Sequence, residues 1–155
     1  MSVTKRMLIA SAIVVMAAVV AAQSDPSIGT WKLNLAKSTY TGGEPPKSST
    51  IVIEKAGEGV KLTATTVIAD GTTRRISYTA NYDGKDAAVT GTPDYNAVAI
   101  KKTATGSEGM RKKDGKMVQT YTRTVSADGK TMTVKASGMN AAGKHFESTQ
   151  VYDKQ

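Results

Sequence analysis

The chain has no cysteine and only one histidine, His145. Without thiols there is no disulfide framework and no thiolate zinc site. His145 alternates away from Phe146 onto an outward, solvent-facing position. A lone outward His with no Cys leaves no catalytic triad and no nitrogen or sulfur metal cluster. Acidic residues fall mostly in turns, so no inward carboxylate pair is evident. Gly42-Gly43 has no helix after it and cannot cradle a phosphate. No catalytic residue, cofactor or metal is assigned, and the chain reads as a non-enzyme. Leucine is scarce too, with 3 after residue 22 against 20 Thr and 9 Val. No window of 11 or more residues repeats apolar positions at helical spacing.

What is present begins with an apolar N-terminus. Lys5 and Arg6 precede the run Met7 to Ala22, broken only by Ser11 and ending in Val20-Ala21-Ala22. This is the layout of a secretory signal peptide, residues 1–22, cleaved before Gln23. As an anchor helix the sixteen-residue run would reach roughly 24 Å, short of the ~30 Å hydrocarbon core. The expectation is export to the periplasm or the extracellular space. No Cys follows the run, which argues against a lipid anchor. Residues 23–155 are long enough for one domain resting on its own core.

That remainder reads as all-β. β-branched residues suit a pleated surface, and apolar residues alternate at period two. Val60, Leu62, Ala64, Thr66 and Ile68 share a face, as do Ile76, Tyr78, Ala80 and Tyr82. Further sets are Met117, Gln119, Tyr121, Arg123 and Val125; Met132, Val134 and Ala136; and Phe146, Ser148, Gln150 and Tyr152. Asp70-Gly71, Asp83-Gly84, Asp114-Gly115 and Asp128-Gly129 punctuate these runs with hairpin chemistry. Ten strands are expected: 30–36, 48–55, 59–68, 72–82, 86–91, 96–103, 107–113, 116–127, 130–138 and 144–153. Consecutive hairpins of this number solve their edge problem by closing into a single antiparallel up-and-down barrel of 8–10 strands. A two-sheet sandwich is the alternative. The one long connection, Lys37 to Ser49, carries Gly42-Gly43 and Pro45-Pro46 and is expected to be an irregular loop. It is either a plain linker or one that brings Tyr40 over a barrel mouth. Ser24-Asp25-Pro26 predicts a short capped helical turn before the first strand.

Gly29-Thr30-Trp31-Lys32-Leu33 resembles the Gly-x-Trp opening of lipocalins and intracellular fatty-acid-binding proteins, the calycins. The tail from Asp128-Gly129-Lys130 to Gln150-Val151-Tyr152-Asp153-Lys154 resembles the last two strands of the fatty-acid-binding proteins. The resemblance covers the layout of nearly the whole domain and the motifs of its two ends. It implies a calycin-like barrel whose end is sealed by Gly29 and Trp31. It also implies an interior that binds or carries a small hydrophobic or amphipathic molecule. There are departures. The Arg-x-Tyr pair that holds a carboxylate on the final strand of those proteins reads Gln150 and Tyr152 here. The stretch from Lys37 to Ser49 is too short and too Pro-rich for their helical portal. There is no C-terminal helix of the lipocalin kind.

The candidate ligand-binding residues are Tyr78, Tyr82, Tyr121, Arg123, Phe146, Gln150 and Tyr152. Phenols, an amide and one guanidinium suit an amphipathic or aromatic ligand with an anionic end, because Arg grips carboxylate or phosphate bidentately. Arg123 has a second reading, as a cation packed on the Trp31 ring. With eight aromatics and many small inward residues, the interior is either hollow or filled by its own side chains.

Charge offers a different function. The whole chain carries +8, and loss of Lys5 and Arg6 leaves about +6. Arg74-Arg75, Lys101-Lys102 and Arg111-Lys112-Lys113 lie on different expected strands. They are either ordinary solvated faces or a stripe for an anionic lipid or polysaccharide of the cell envelope. Nucleic acid is not expected as a partner, since the exposed aromatics that interleave with basic residues in β-type nucleic-acid modules are missing. The domain is expected to be a monomer.

Overall fold

A computed structural model of the chain describes residues 24–155. The export-signal reading of residues 1–22 lies outside the described residues. Eleven strands follow in order: β1 Gly29–Leu33, β2 Thr39–Thr41, β3 Ser48–Ala56, β4 Gly59–Val67, β5 Thr73–Asn81, β6 Asp83–Thr90, β7 Ala97–Thr103, β8 Gly106–Lys113, β9 Lys116–Val125, β10 Thr131–Met139 and β11 His145–Lys154. From β3 to β11 each strand pairs antiparallel with the next, and β3 also pairs with β1. The last strand returns to the first, with Trp31 opposite Lys154 and Leu33 opposite Tyr152. The second half of that same edge is β2, where Thr41 faces Glu147 and Thr39 faces Thr149. β1 and β2 therefore act as one broken stave, and the fold is a closed ten-stranded antiparallel up-and-down barrel. Closure pairs the first and last strands, which removes the two end edges that another chain could extend.

The break in the first stave corrects the expected single strand 30–36 and the irregular loop after it. Asn34 caps a 3-10 turn at Leu35–Lys37, its side chain accepting the Lys37 N–H at 3.2 Å. Ser38 Oγ then donates to the Asn34 carbonyl at 2.7 Å and accepts the Val151 N–H at 3.0 Å. This local polar network re-aims the chain so that Thr39–Thr41 rejoins β11. Tyr40 consequently sits in the barrel wall opposite Ser148 rather than in a loop over the mouth.

One other turn differs from expectation. Asp83-Gly84 is not a tight hairpin. Both residues belong to β6, where the register against β7 shifts between Asp83 and Asp86 and Gly84 has φ +73°. This is a bulge, which bends its strand. The β5–β6 ladder is only two pairs long, Ser77 with Thr90 and Tyr78 with Val89. Before β1, Asp25 accepts from the Ser27 N–H at 2.9 Å and from Ser27 Oγ at 2.6 Å. The Ile28 N–H also bonds the Asp25 carbonyl at 3.2 Å, so this is the single capped turn expected around Pro26.

Trp31 is fully buried, and its Nε1–H donates to the Ser27 carbonyl at 2.8 Å. The cation over its ring is Lys154, with Nζ 5.2 Å from the centroid. This replaces the expected contact with Arg123, which lies over Tyr121 instead. The reason is register: Lys154 is the cross-strand partner of Trp31. Gly29 belongs to the same plug. It has φ +140°, and a Cβ there would lie 2.9 Å from Lys154 Cε, so the Gly-x-Trp opening requires its glycine.

Candidate functional site

At the end opposite Trp31 the barrel holds a cavity of ≈ 320 Å³. Its apolar wall comes from the alternating set on β3 to β5, namely Ile51, Leu62, Ala64 and Ile76, with Phe146 on β11. Its polar wall comes from Tyr40, Tyr78, Tyr95, Arg111, Gln119, Gln150 and Tyr152. Gly43, Glu44 and Pro46 from the β2–β3 loop border the opening.

Arg111 is the guanidinium of this cavity. On β8 the inward positions are Ser107, Gly109 and Arg111, so alternation turns Arg111 in and Lys112 out. The Arg111 guanidinium carbon lies 4.9 Å from the Tyr95 ring centre and 4.9 Å from that of Tyr121. Its Nη1 donates to Gln119 Oε1 at 3.0 Å, while Gln119 Nε2 donates to the Met139 carbonyl at 3.1 Å. Two rings and an amide thus fix the cation, and it forms no ion pair with a carboxylate among the described residues. Gly109 makes room for the arrangement: a Cβ there would sit 2.6 Å from Tyr121 Cε1.

A second polar chain runs along β11. Tyr152 OH donates to Gln150 Oε1 at 2.7 Å, and Gln150 Nε2 donates to Ser148 Oγ at 3.2 Å. Facing it, the Ser49 and Thr66 hydroxyls share a hydrogen bond of 2.8 Å. Tyr40 OH is buried without a partner, and burial followed by the nearby Tyr152 pushes its pKa up to about 12. Burial also raises the pKa of Tyr95 and of Tyr152, although Arg111 pulls both the other way.

Of the seven expected ligand residues, Tyr78, Phe146, Gln150 and Tyr152 line the cavity. Tyr82 does not: its hydroxyl donates to Asp25 Oδ2 at the closed end, and Lys102 Nζ lies 5.6 Å from its ring centre. Arg123 is walled in beneath the cavity at 3% exposure, donating to Ser107 Oγ and Tyr78 OH at 3.5 Å each. Tyr121 separates the two guanidinium groups, with Arg123 5.5 Å from its ring centre. Burial raises the Tyr78 pKa, but Arg123, Tyr121 and Arg111 together outweigh it, and the phenol ends below its ordinary value. The same burial leaves Tyr121 raised, with Tyr78 adding to the effect.

Arg111, Tyr95 and Gln119 also line the cavity and were not among the expected ligand residues. For Arg111 the signal was available, since alternation through Ser107 and Gly109 points it inward, but its place in a three-residue basic run masked it. The basic runs do not join into one outer stripe. Arg111 turns in, Lys112 turns out and bonds Asp86 at 2.7 Å, Lys102 covers Tyr82, and Arg74 lies 3.8 Å from Asp94.

A larger depression, ≈ 610 Å³, lies on the outer wall of β7 to β11 and β2. It is lined by Lys101, Lys135, Glu108 and Glu147 together with Met110 and several threonines. It lacks the clamped, half-buried guanidinium of the smaller interior cavity, which makes that cavity the candidate site.

No family model matches the chain, and no curated protein is similar to it. Among solved structures, zebrafish ileal bile acid-binding protein in complex with cholic acid is similar over 84% of this chain and 100% of its own, at 11% identity and a TM-score of 0.47. The chain's own ladders form the up-and-down antiparallel barrel that the resemblance to calycins implied.

Proposed function

We propose that this protein binds or carries a small amphipathic molecule inside its barrel, without catalysis, and that Arg111 receives the ligand's anionic end. The observation that carries this reading is the clamped Arg111 in the wall of a ≈ 320 Å³ cavity. That volume is at the small end of ligand pockets, about 300–1,000 Å³. An apolar wall facing fixed polar groups suits a ligand with one greasy side and one acidic end. The guanidinium is already held in place by Tyr95, Tyr121 and Gln119, so little side-chain entropy is lost on binding. Residues 1–22 are read as a cleaved export signal, with the mature monomer acting in the periplasm or outside the cell. N-terminal sequencing of exported protein should then begin at Gln23.

The test is titration of the mature protein with medium-chain carboxylates, followed by NMR. Shifts should concentrate at Tyr78, Arg111, Gln119, Gln150 and Tyr152 and should survive raised salt, because an enclosed ion pair is poorly screened. Shifts confined to outward lysines, and lost with salt, would favour a surface role over a carrier.

A further inference from the structure

Arg123 presents an unusual charge balance. Its side chain is 3% exposed, and it forms no ion pair with a carboxylate among the described residues. Its contacts are a serine hydroxyl, the face of Tyr121 and the hydroxyl of Tyr78, and its Nε has no partner. Guanidinium does not give up its proton in a protein. Buried charges are paired or they are costly. The acid within hydrogen-bond reach is the phenol of Tyr78, 3.5 Å from Nη2.

The groups around Tyr78 favour one role for it. Arg123 and Tyr121 approach from β9, Arg111 from β8, and Tyr95 from the β6–β7 connection. Tyr121 OH is buried and makes no hydrogen bond with good geometry, so its proton is free for an acceptor beside it. One cation at 3.5 Å, a second on the neighbouring strand and a spare donor therefore favour negative charge on the phenol of a residue that lines the cavity.

We propose that Tyr78 is the counter-ion of Arg123, held as a phenolate inside the barrel, and that its Oη is the cavity's acceptor for a hydroxyl or N–H group of the ligand. The ionisation stands on its own; the ligand contact rests on the carrier reading. With Arg123 neutralised internally, Arg111 remains for the ligand's acid. The site then takes an amphipathic acid that also bears a hydroxyl or N–H donor in preference to a plain hydrocarbon acid.

Ultraviolet absorbance of the phenolate band, followed against pH on the folded mature protein, tests the ionisation. One of the six tyrosines should already be ionised at neutral pH, and Tyr78→Phe should remove that phenolate band. Carbon-13 NMR of ring-labelled tyrosine in the unmutated protein gives the same reading without depending on how a variant folds. All six neutral at neutral pH would overturn the proposal, as would a phenolate signal that persists in Tyr78→Phe. The ligand contact is tested with a carboxylate and its hydroxylated counterpart. The preference for the hydroxylated acid should shrink at least about tenfold in Tyr78→Phe, the scale of a hydrogen bond to a charged group. An unchanged ratio would overturn the contact. A phenolate seen in a protein that binds no acid would sink the carrier reading alone.

Discussion

Lys154 Nζ stands 5.2 Å above the centre of the Trp31 ring, and the two residues are direct partners in the ladder that closes the barrel. One contact thus joins the first strand, the last strand and the plug. The indole provides the buried area, and the lysine stem covers it while keeping its ammonium toward water.

Trp31→Ala should therefore cost about 3–5 kcal/mol in urea unfolding, the range for emptying a large aromatic site. Lys154→Ala should cost less, about 0.5–1 kcal/mol for an exposed cation–π contact. Equal losses for the two variants, or no loss for Trp31→Ala, would mean that the indole does not seal the barrel.

Gly109→Ala should destabilise the barrel by about 1–3 kcal/mol, as overpacking does. The added methyl would lie 2.6 Å from Tyr121 Cε1 and 2.9 Å from the Ala99 carbonyl. The ring can swing, but the carbonyl belongs to the β7–β8 ladder and cannot. Displacing Tyr121 also loosens Arg111, so near-ultraviolet circular dichroism of the tyrosines should change along with the unfolding midpoint.

How much of this was legible in the sequence follows from what each residue answers to. Strand positions were readable because period two is a local property: β3, β4, β8 and β9 begin and end within two residues of expectation. The break between β1 and β2 was not readable. It depends on Asn34 and Ser38 meeting each other and the β11 backbone at Val151, far along the chain. Tyr78, Phe146, Gln150 and Tyr152 were placed on the inner wall because each belongs to a run whose alternation is unambiguous. Arg123 was placed inside correctly but given the wrong neighbour. Strand alternation gives a side chain's face, while its partner depends on stagger around the closed barrel.

Acid should loosen the closed end. Burial raises the Asp25 pKa, but bonds from Ser27 and Tyr82, with Lys102 nearby, outweigh it and leave the carboxyl below 3.8. A lowered folded pKa gives stability that is fully present above the unfolded value and lost as pH falls through the folded one. Unfolding midpoints should hold above about pH 4 and drop below it, and Asp25→Asn should flatten the drop. The turn carboxyls Asp70 and Asp128 and the β11 carboxyl Asp153 are lowered too, so some slope should remain.

Base acts in the opposite sense. Tyr40, raised to about 12, and Tyr82, also raised by burial, are neutral in the folded barrel. Their stability is complete below the free-phenol value of 10.0 and is lost as pH climbs through their folded values. The folded protein should persist to about pH 10 and unfold above it. Tyr82→Phe should remove part of the alkaline loss, measured by circular dichroism across the titration. An alkaline limb as steep in Tyr82→Phe as in the parent would show that the phenol is not held neutral by Asp25.

The most direct measure of the site is Arg111→Gln. The substituted amide keeps polarity and much of the length, and it can still meet Gln119, but it removes the cation from between Tyr95 and Tyr121. If Arg111 receives the ligand's acid, affinity for an anionic amphiphile should fall by about 1.5–3 kcal/mol, roughly tenfold to a hundredfold. A neutral analogue of the same shape should lose far less. Isothermal titration of both ligands against both proteins isolates the charge term, because any general loosening of the cavity weakens the two alike. Equal losses for the acid and its neutral analogue would relocate the recognition of charge away from Arg111, leaving the cavity as an apolar compartment.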